Sequence, residues 1–154
     1  MHLKEDVELK VGSLGYIKFD HPYYIYTGSA LGNRRNILEN RILRHLRRKK
    51  RKFWHIDYIT ESEKFQVEKV ILAETNERLE CEISRALMEN FSLGYVKRFG
   101  NSDCKNCESH LIKLDSKDHI KKLLYVYKKL GLKPKILNSS NFEVKHITIQ
   151  ANLK

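Results

Sequence analysis

Arg41 and His45 stand four residues apart in a basic stretch, a spacing that puts both on one face of a helix. A guanidinium grips two phosphate oxygens at once, and an imidazole takes or gives a proton near neutral pH. Just ahead, Tyr23, Tyr24, Ile25 and Tyr26 lead into Gly28, Ser29, Ala30 and Gly32. Aromatic hydroxyls are thus followed by small residues, where a backbone can turn tightly or approach a ligand. Further on, Glu80 and Glu82 offer the oxygen ligands that hard divalent cations take. Phosphodiester hydrolysis needs these types: a positive group on the non-bridging oxygens, a cation with positions left open for water, and a proton acceptor. His45 or a tyrosine beside the metal could be that acceptor.

Two further sets could do chemistry. In Trp54-His55-Ile56-Asp57 an extended backbone would put His55 and Asp57 on one side, to orient one another or bind a metal. The competing reading is a hydrogen-bonded structural histidine. Cys104-x-x-Cys107-x-x-His110, with Cys81 elsewhere, has ligand-like spacing, and three cysteines with one histidine make an acceptable structural zinc set. Otherwise Cys81 is a small buried hydrophobe and the other two are ordinary thiols. An odd number of cysteines argues against a disulfide framework.

The elements that would carry these residues can be read from periodicity. Residues 7–11 and 16–19 read as short strands about Gly12 and Gly15, turning through His21-Pro22 into a third strand over 23–27. Connections this short imply an antiparallel meander. From Asn33 to Lys50 the pattern is helical, with Leu38, Ile42 and Leu46 as the buried stripe. Arg34, Arg41, His45 and Arg48 border that stripe, while Arg44 and Arg47 point further out. Residues 67–73 read as a largely buried strand and 74–91 as a helix with Asn76 as a candidate cap. Glu80 and Glu82 lie 200° apart on it, so only one can face a given site. A loop over 94–106 precedes a strand over 109–114. A helix capped by Asp115 or Ser116 then buries Ile120, Leu123, Leu124, Tyr127 and Leu130 and stops at Gly131. Residues 135–137 and 142–149 read as a terminal hairpin.

At 154 residues, 41% of them hydrophobic, the chain is long enough for one ordinary core. No apolar run reaches the ~18 residues of a membrane span, and the charged N-terminus MHLKEDVELK is no secretory signal. A cytoplasmic protein without membrane contacts is therefore expected. The net charge of +11 favours polyanions. It is concentrated in Arg34, Arg35, Arg41, Arg44, Arg47, Arg48, Lys49, Lys50, Arg51 and Lys52, with Glu39 the one acid of that stretch. Such a run would track a nucleic-acid backbone without reading sequence; solvated surface cations are the alternative.

With these residues laid out, the chain resembles the GIY-YIG nuclease superfamily, and within it the small, uncharacterised stand-alone branch also found fused to DNA-repair glycosylases. The resemblance rests on YYIYTGSALG, RILRHLRRKKRKFWHIDY, ECEISRAL and FGNSDCKNCESHL and covers roughly residues 12–114. It implies an α+β domain over 1–114, with a small antiparallel three-stranded sheet flanked by helices. Residues 115–154 form a C-terminal helix-plus-strand extension packed on it. The implied activity is metal-dependent cleavage of a DNA phosphodiester, in repair or at particular DNA structures, with one Mg²⁺ or Mn²⁺. By motif, Tyr26 with Gly28 matches the second, YIG-like element, Arg41 the phosphate-gripping arginine, and His45 the residue four later. The metal glutamate falls in ECEISRAL, with Glu82 preferred over Glu80. Ser29, His55 and Asp57 support the site, and Arg34, Arg44, Arg47, Arg48, Lys49, Lys50, Arg51 and Lys52 contact nucleic acid, DNA before RNA. The first element is matched only by Gly15-Tyr16-Ile17, which makes Tyr16 its tyrosine. Were that tyrosine missing instead, the same scaffold would be a nucleic-acid-binding module without catalysis. A third reading is a zinc-stabilised interaction domain. An incomplete sheet edge near Met1 would invite a homodimer.

Overall fold

The computed structural model describes residues 1–32, 37–102, 104, 106–114 and 120–138. In chain order these form β1 (His2–Leu3), β2 (Val7–Lys10), β3 (Tyr16–Phe19), β4 (Tyr23–Tyr26), α1 (Ile37–Leu46), α2 (His55–Glu61), β5 (Phe65–Gln66) and β6 (Lys69–Leu72). They continue with α3 (Glu80–Phe91), β7 (Gly94–Tyr95), β8 (Leu111–Leu114), α4 (Ile120–Lys129) and β9 (Lys135–Asn138). The fold is α+β. Its main sheet has five strands rather than three, in the order β5-β1-β4-β8-β7, all antiparallel. The additional strands β1, β5 and β7 are two residues long, too short for alternation to reveal.

Alternation along the central strands sorts two cores. Tyr24 on β4 and Leu111 on β8 enter one core with Leu3, Phe19, Ile56, Ile59, Phe65 and Phe99. Ile112 and Leu114 enter the other with Ile83, Leu87, Leu123 and Val126, and Tyr23 and Ile25 pack against it. The sheet is thus covered on one face by α2 and the β2–β3 hairpin and on the other by α3 and α4. The hairpin turns through Gly12 and Gly15, both at positive φ, where residues without a Cβ are favoured. Phe19, Tyr24 and Phe65 meet edge-to-face at 5.2 to 5.7 Å, the arrangement that aromatic quadrupoles prefer. The fully buried Tyr24 hydroxyl accepts the N–H groups of Asp20 and His21.

Several expectations need correction. The strand over 23–26 leaves the meander: β2 and β3 pair only with each other, and β4 lies between β1 and β8. Near Met1 there is no open edge, because β1 is flanked on both sides. The segment expected to be extended around His55 and Asp57 is helix α2, and α3 starts at Glu80 rather than near Glu74. Residues 135–138 pair with β6. The proposed partner strand over 142–149, the cap at Asp115 or Ser116, and Arg34 lie outside the described residues. No helix among the described residues is long and apolar enough to cross a membrane.

Phe19→Ala should lower stability by ~3–5 kcal/mol. Urea unfolding would measure it, with a midpoint shift well above that of Tyr16→Ala, whose side chain is largely exposed.

Candidate functional site

Beyond Tyr26, residues 27–32, small apart from Leu31, line a cavity of about 500 Å³. Helix α1 walls it with Leu38, Arg41, Ile42, His45 and Leu46, while β6 and the start of α3 close the far side. No α1 side chain is fully buried, so the expected stripe of Leu38, Ile42 and Leu46 faces this cavity instead of a solid core. Tyr26, Gly28, Ser29, Arg41, His45 and Glu80 all line it. Glu82 and Tyr16 do not. Glu82 is exposed on the other side of α3, and Tyr16, 69% exposed, sits on the separate hairpin.

Three of the lining groups stand out by what they lack. Both His45 ring nitrogens and Glu80 Oε2 are buried without a hydrogen-bond partner among the described residues. Buried polar atoms are nearly always paired, so each such exception calls for a cause. Arg41 has no carboxylate partner among the described residues; its guanidinium lies 4.8 Å from the Trp54 ring centroid. His45 is packed edge-on to Tyr26 at 6.0 Å and tilted against Trp54 at 5.3 Å. Burial, then the Arg41 charge, lowers its pKa from 6.5 to about 4 despite the opposing pull of Asp57. It is therefore neutral at physiological pH.

What holds Arg41 and His45 in place is the contact of α1 with α2. Asp57, fully buried, accepts two bonds from Arg44 Nη1 (2.8 and 3.0 Å) and one from Arg44 Nη2 (3.0 Å). It also accepts the backbone N–H groups of Phe53 and Trp54, as a carboxylate three residues into a helix does when it reaches back to the cap. Lys50, its ammonium almost wholly buried, donates to the last-turn carbonyls of Arg44 and His45 and to Thr60 Oγ1, 3.5 Å from Asp57. Burial raises the Asp57 pKa, but the Arg44 bonds and the two backbone N–H groups outweigh it and hold the carboxyl at about 2. Arg44, expected to point outward to nucleic acid, is folded back as a clamp, and Lys50 with it. Lys52 pairs with Glu61 at 2.7 Å. Arg47, Arg48, Lys49 and Arg51 are exposed and without ion-pair partners among the described residues.

His55 and Asp57 do not act as a pair. The His55 ring accepts the Gly100 N–H at 3.1 Å and packs on Phe99, and burial lowers its pKa. Gly100 has φ +77°, and a Cβ there would lie 2.9 Å from the Tyr26 ring. It is thus the one residue type that lets this loop pass under Tyr26. A hydroxyl pair that sequence reasoning missed, buried Thr27 and Ser84 in hydrogen-bond contact, ties the end of β4 to α3. No local signal could have disclosed it across 57 residues.

Cys81, Cys104 and Cys107, all free thiols, converge closely enough to hold a metal ion. Their sulfurs lie 3.0 to 3.2 Å apart, and His110 Nε2 lies 3.0 Å from Cys107 and 3.6 Å from Cys81. Burial and the neighbouring thiols push the Cys81 thiol up, burial foremost raises Cys107 to about 11, and the hydrogen bond with Cys81 foremost lowers Cys104.

A family model described as Domain of unknown function DUF123 matches residues 1–132. No curated protein and no solved structure matches the chain.

Stability should fall on acidification in two stages. An unfolded His45 takes up its proton near 6.5, the folded one only near 4, so protons favour the unfolded chain across that window. Asp57, depressed from 3.8 to about 2, contributes fully above about pH 4 and loses its contribution as the pH falls toward 2. Asp57→Asn should cost ~3–5 kcal/mol at pH 7, the range for breaking a buried ion pair, and flatten the lower stage. Urea midpoints of both proteins from pH 7 to pH 3 would measure this.

Proposed function

The chain belongs to the family described as Domain of unknown function DUF123, and from that premise we propose that it is a metal-dependent DNA endonuclease of the GIY-YIG type. The observation that carries this reading is the convergence of Arg41, His45 and Glu80 on one cavity, with the His45 nitrogens and Glu80 Oε2 buried without a hydrogen-bond partner among the described residues and Asp57 3.6 Å from His45 Nδ1. Unsatisfied groups of opposite chemical demand around one space are suited to a ligand that carries both anionic oxygens and a cation.

In this reading Arg41 receives the non-bridging phosphate oxygens, its guanidinium oriented by the Trp54 face. Glu80, with one buried unpartnered oxygen, suits a single Mg²⁺ or Mn²⁺ that keeps several waters. The ion, when bound, supplies charge for the developing phosphorane oxygens and lowers the pKa of a coordinated water. His45, neutral and without a hydrogen-bond partner among the described residues, is placed to accept the proton from the attacking water. A diester seated on Arg41 would offset the positive charge that depresses the imidazole, making it a stronger base when substrate is present. Tyr26, edge-on to His45, fixes the ring's orientation and lines the same space. Gly28 and Ser29, small residues in the lining, leave room for the strand. Arg47, Arg48, Lys49 and Arg51 extend the positive surface beyond the end of α1, where contacts add affinity without sequence preference.

Tyr16 favours a second reading. Its place outside the cavity leaves the first tyrosine element without a residue beside Arg41, which fits a DNA-binding module that does not cut.

Incubation of labelled single-stranded, duplex, branched and base-damaged DNA with Mg²⁺ or Mn²⁺ separates the two readings. The nuclease predicts nicking that chelator stops. Arg41→Ala and Glu80→Gln should each slow it by ~10²-fold or more, while Glu82→Gln and Tyr16→Phe leave it intact. Binding of uncut DNA should survive both damaging changes. Salt-dependent binding with no cleavage under any metal would leave the module.

A further inference from the structure

We infer that Cys81, Cys104, Cys107 and His110 form a structural zinc centre that pins the first turn of α3 to the loop over 99–110. The donor set argues for the metal. Three sulfurs that lie mutually close enough for one ion, with no carboxylate among them, select a soft or borderline ion, and His110 Nε2, 3.0 Å from Cys107 and 3.6 Å from Cys81, stands beside them as the fourth donor that a closed tetrahedral shell needs. The sulfurs lie 3.0 to 3.2 Å apart without being bonded to one another, and a spreading of about 0.6 Å would bring them to the edges of a tetrahedron with ~2.3 Å zinc–sulfur bonds. One shared ion explains such a convergence from two distant segments. Entry of Zn²⁺ releases the three thiol protons to solvent, giving three thiolates and a neutral imidazole on the ion.

Hydrogen bonds within the loop hold these ligands in place. Cys104 N–H donates to Asn101 O and His110 N–H to Phe99 O, while Arg98 N–H donates to Glu108 O. The Asn101 amide donates to the Cys107 carbonyl, and Arg85 reaches from α3 to the Asn106 carbonyl. Asn106 N–H points at Cys104 Sγ, 3.4 Å away, an outer contact that would stabilise a ligating thiolate. The consequence reaches the cavity from two sides. Cys81 is next to Glu80 on α3, and the same loop carries Gly100, wedged between Tyr26 and His110. The centre is thus a positioning device for Glu80 and Tyr26, and it stands whether or not the cavity cleaves DNA.

The test is the metal content of the purified full-length chain, which needs no activity. Elemental analysis should find about one zinc per chain. Replacement by Co²⁺ in the stripped wild-type protein should produce tetrahedral visible bands with sulfur-to-metal charge transfer. Chelator should lower the thermal midpoint and speed amide exchange over residues 99–110. Cys107→Ser should bind cobalt weakly and lose intensity in the charge-transfer region. A metal-free protein whose midpoint ignores both chelator and added zinc would overturn the inference. So would bound iron in place of zinc, or a mass two hydrogens short that reveals a disulfide.

Discussion

The Asp57 carboxylate is the constraint on which the cavity depends. A buried anion survives only when its lone pairs are filled and its charge is matched. Here Arg44, two backbone N–H groups and the nearby Lys50 do both. Those partners come from the end of α1 and from the segment after it, while Asp57 itself stands on α2, so satisfying one carboxylate fixes the angle between two helices. Arg41 and His45 lie one turn or less from Arg44, and their positions over the cavity follow from that angle. The Trp54 ring, with Arg44 at 4.1 Å and Arg41 at 4.8 Å, locks the same corner from the outside.

The basic stretch therefore does two unlike jobs. Arg44 and Lys50 are spent within the fold, where their charges answer a buried acid and the unpaired carbonyls at the end of a helix. Arg47, Arg48, Lys49 and Arg51 remain in solvent. Arg41 belongs to neither group, since it lines the cavity and has no ion-pair partner among the described residues. A run of cations that looks uniform in composition is divided by what each side chain can reach.

Much of this was legible in the residues. The Arg41 and His45 pair, the small residues after Tyr26, and the cysteine set were singled out by type and spacing, and the structure brings each group together. The opposed directions of Glu80 and Glu82 followed from helical geometry, but choosing the cavity-facing one required knowing how α3 packs on β8 and is tied to Thr27. The segment at Trp54 misled for a physical reason. Its alternation looks extended, and tryptophan is not a usual helix cap; the signal was Asp57 three residues on, returning to the backbone of Phe53 and Trp54. Two-residue strands, and the pairing of β9 with distant β6, carry no local pattern, because long-range packing creates them.

Paramagnetic broadening of the protein's NMR signals by Mn²⁺, with an uncleavable phosphorothioate oligonucleotide present, would test the central convergence most directly. The account predicts that broadening centres on Glu80 and spreads across the cavity to Tyr26, Arg41 and His45, leaving Glu82 and Tyr16 sharp. Broadening centred elsewhere, or loss of signal only along Arg47 to Arg51, would contradict it.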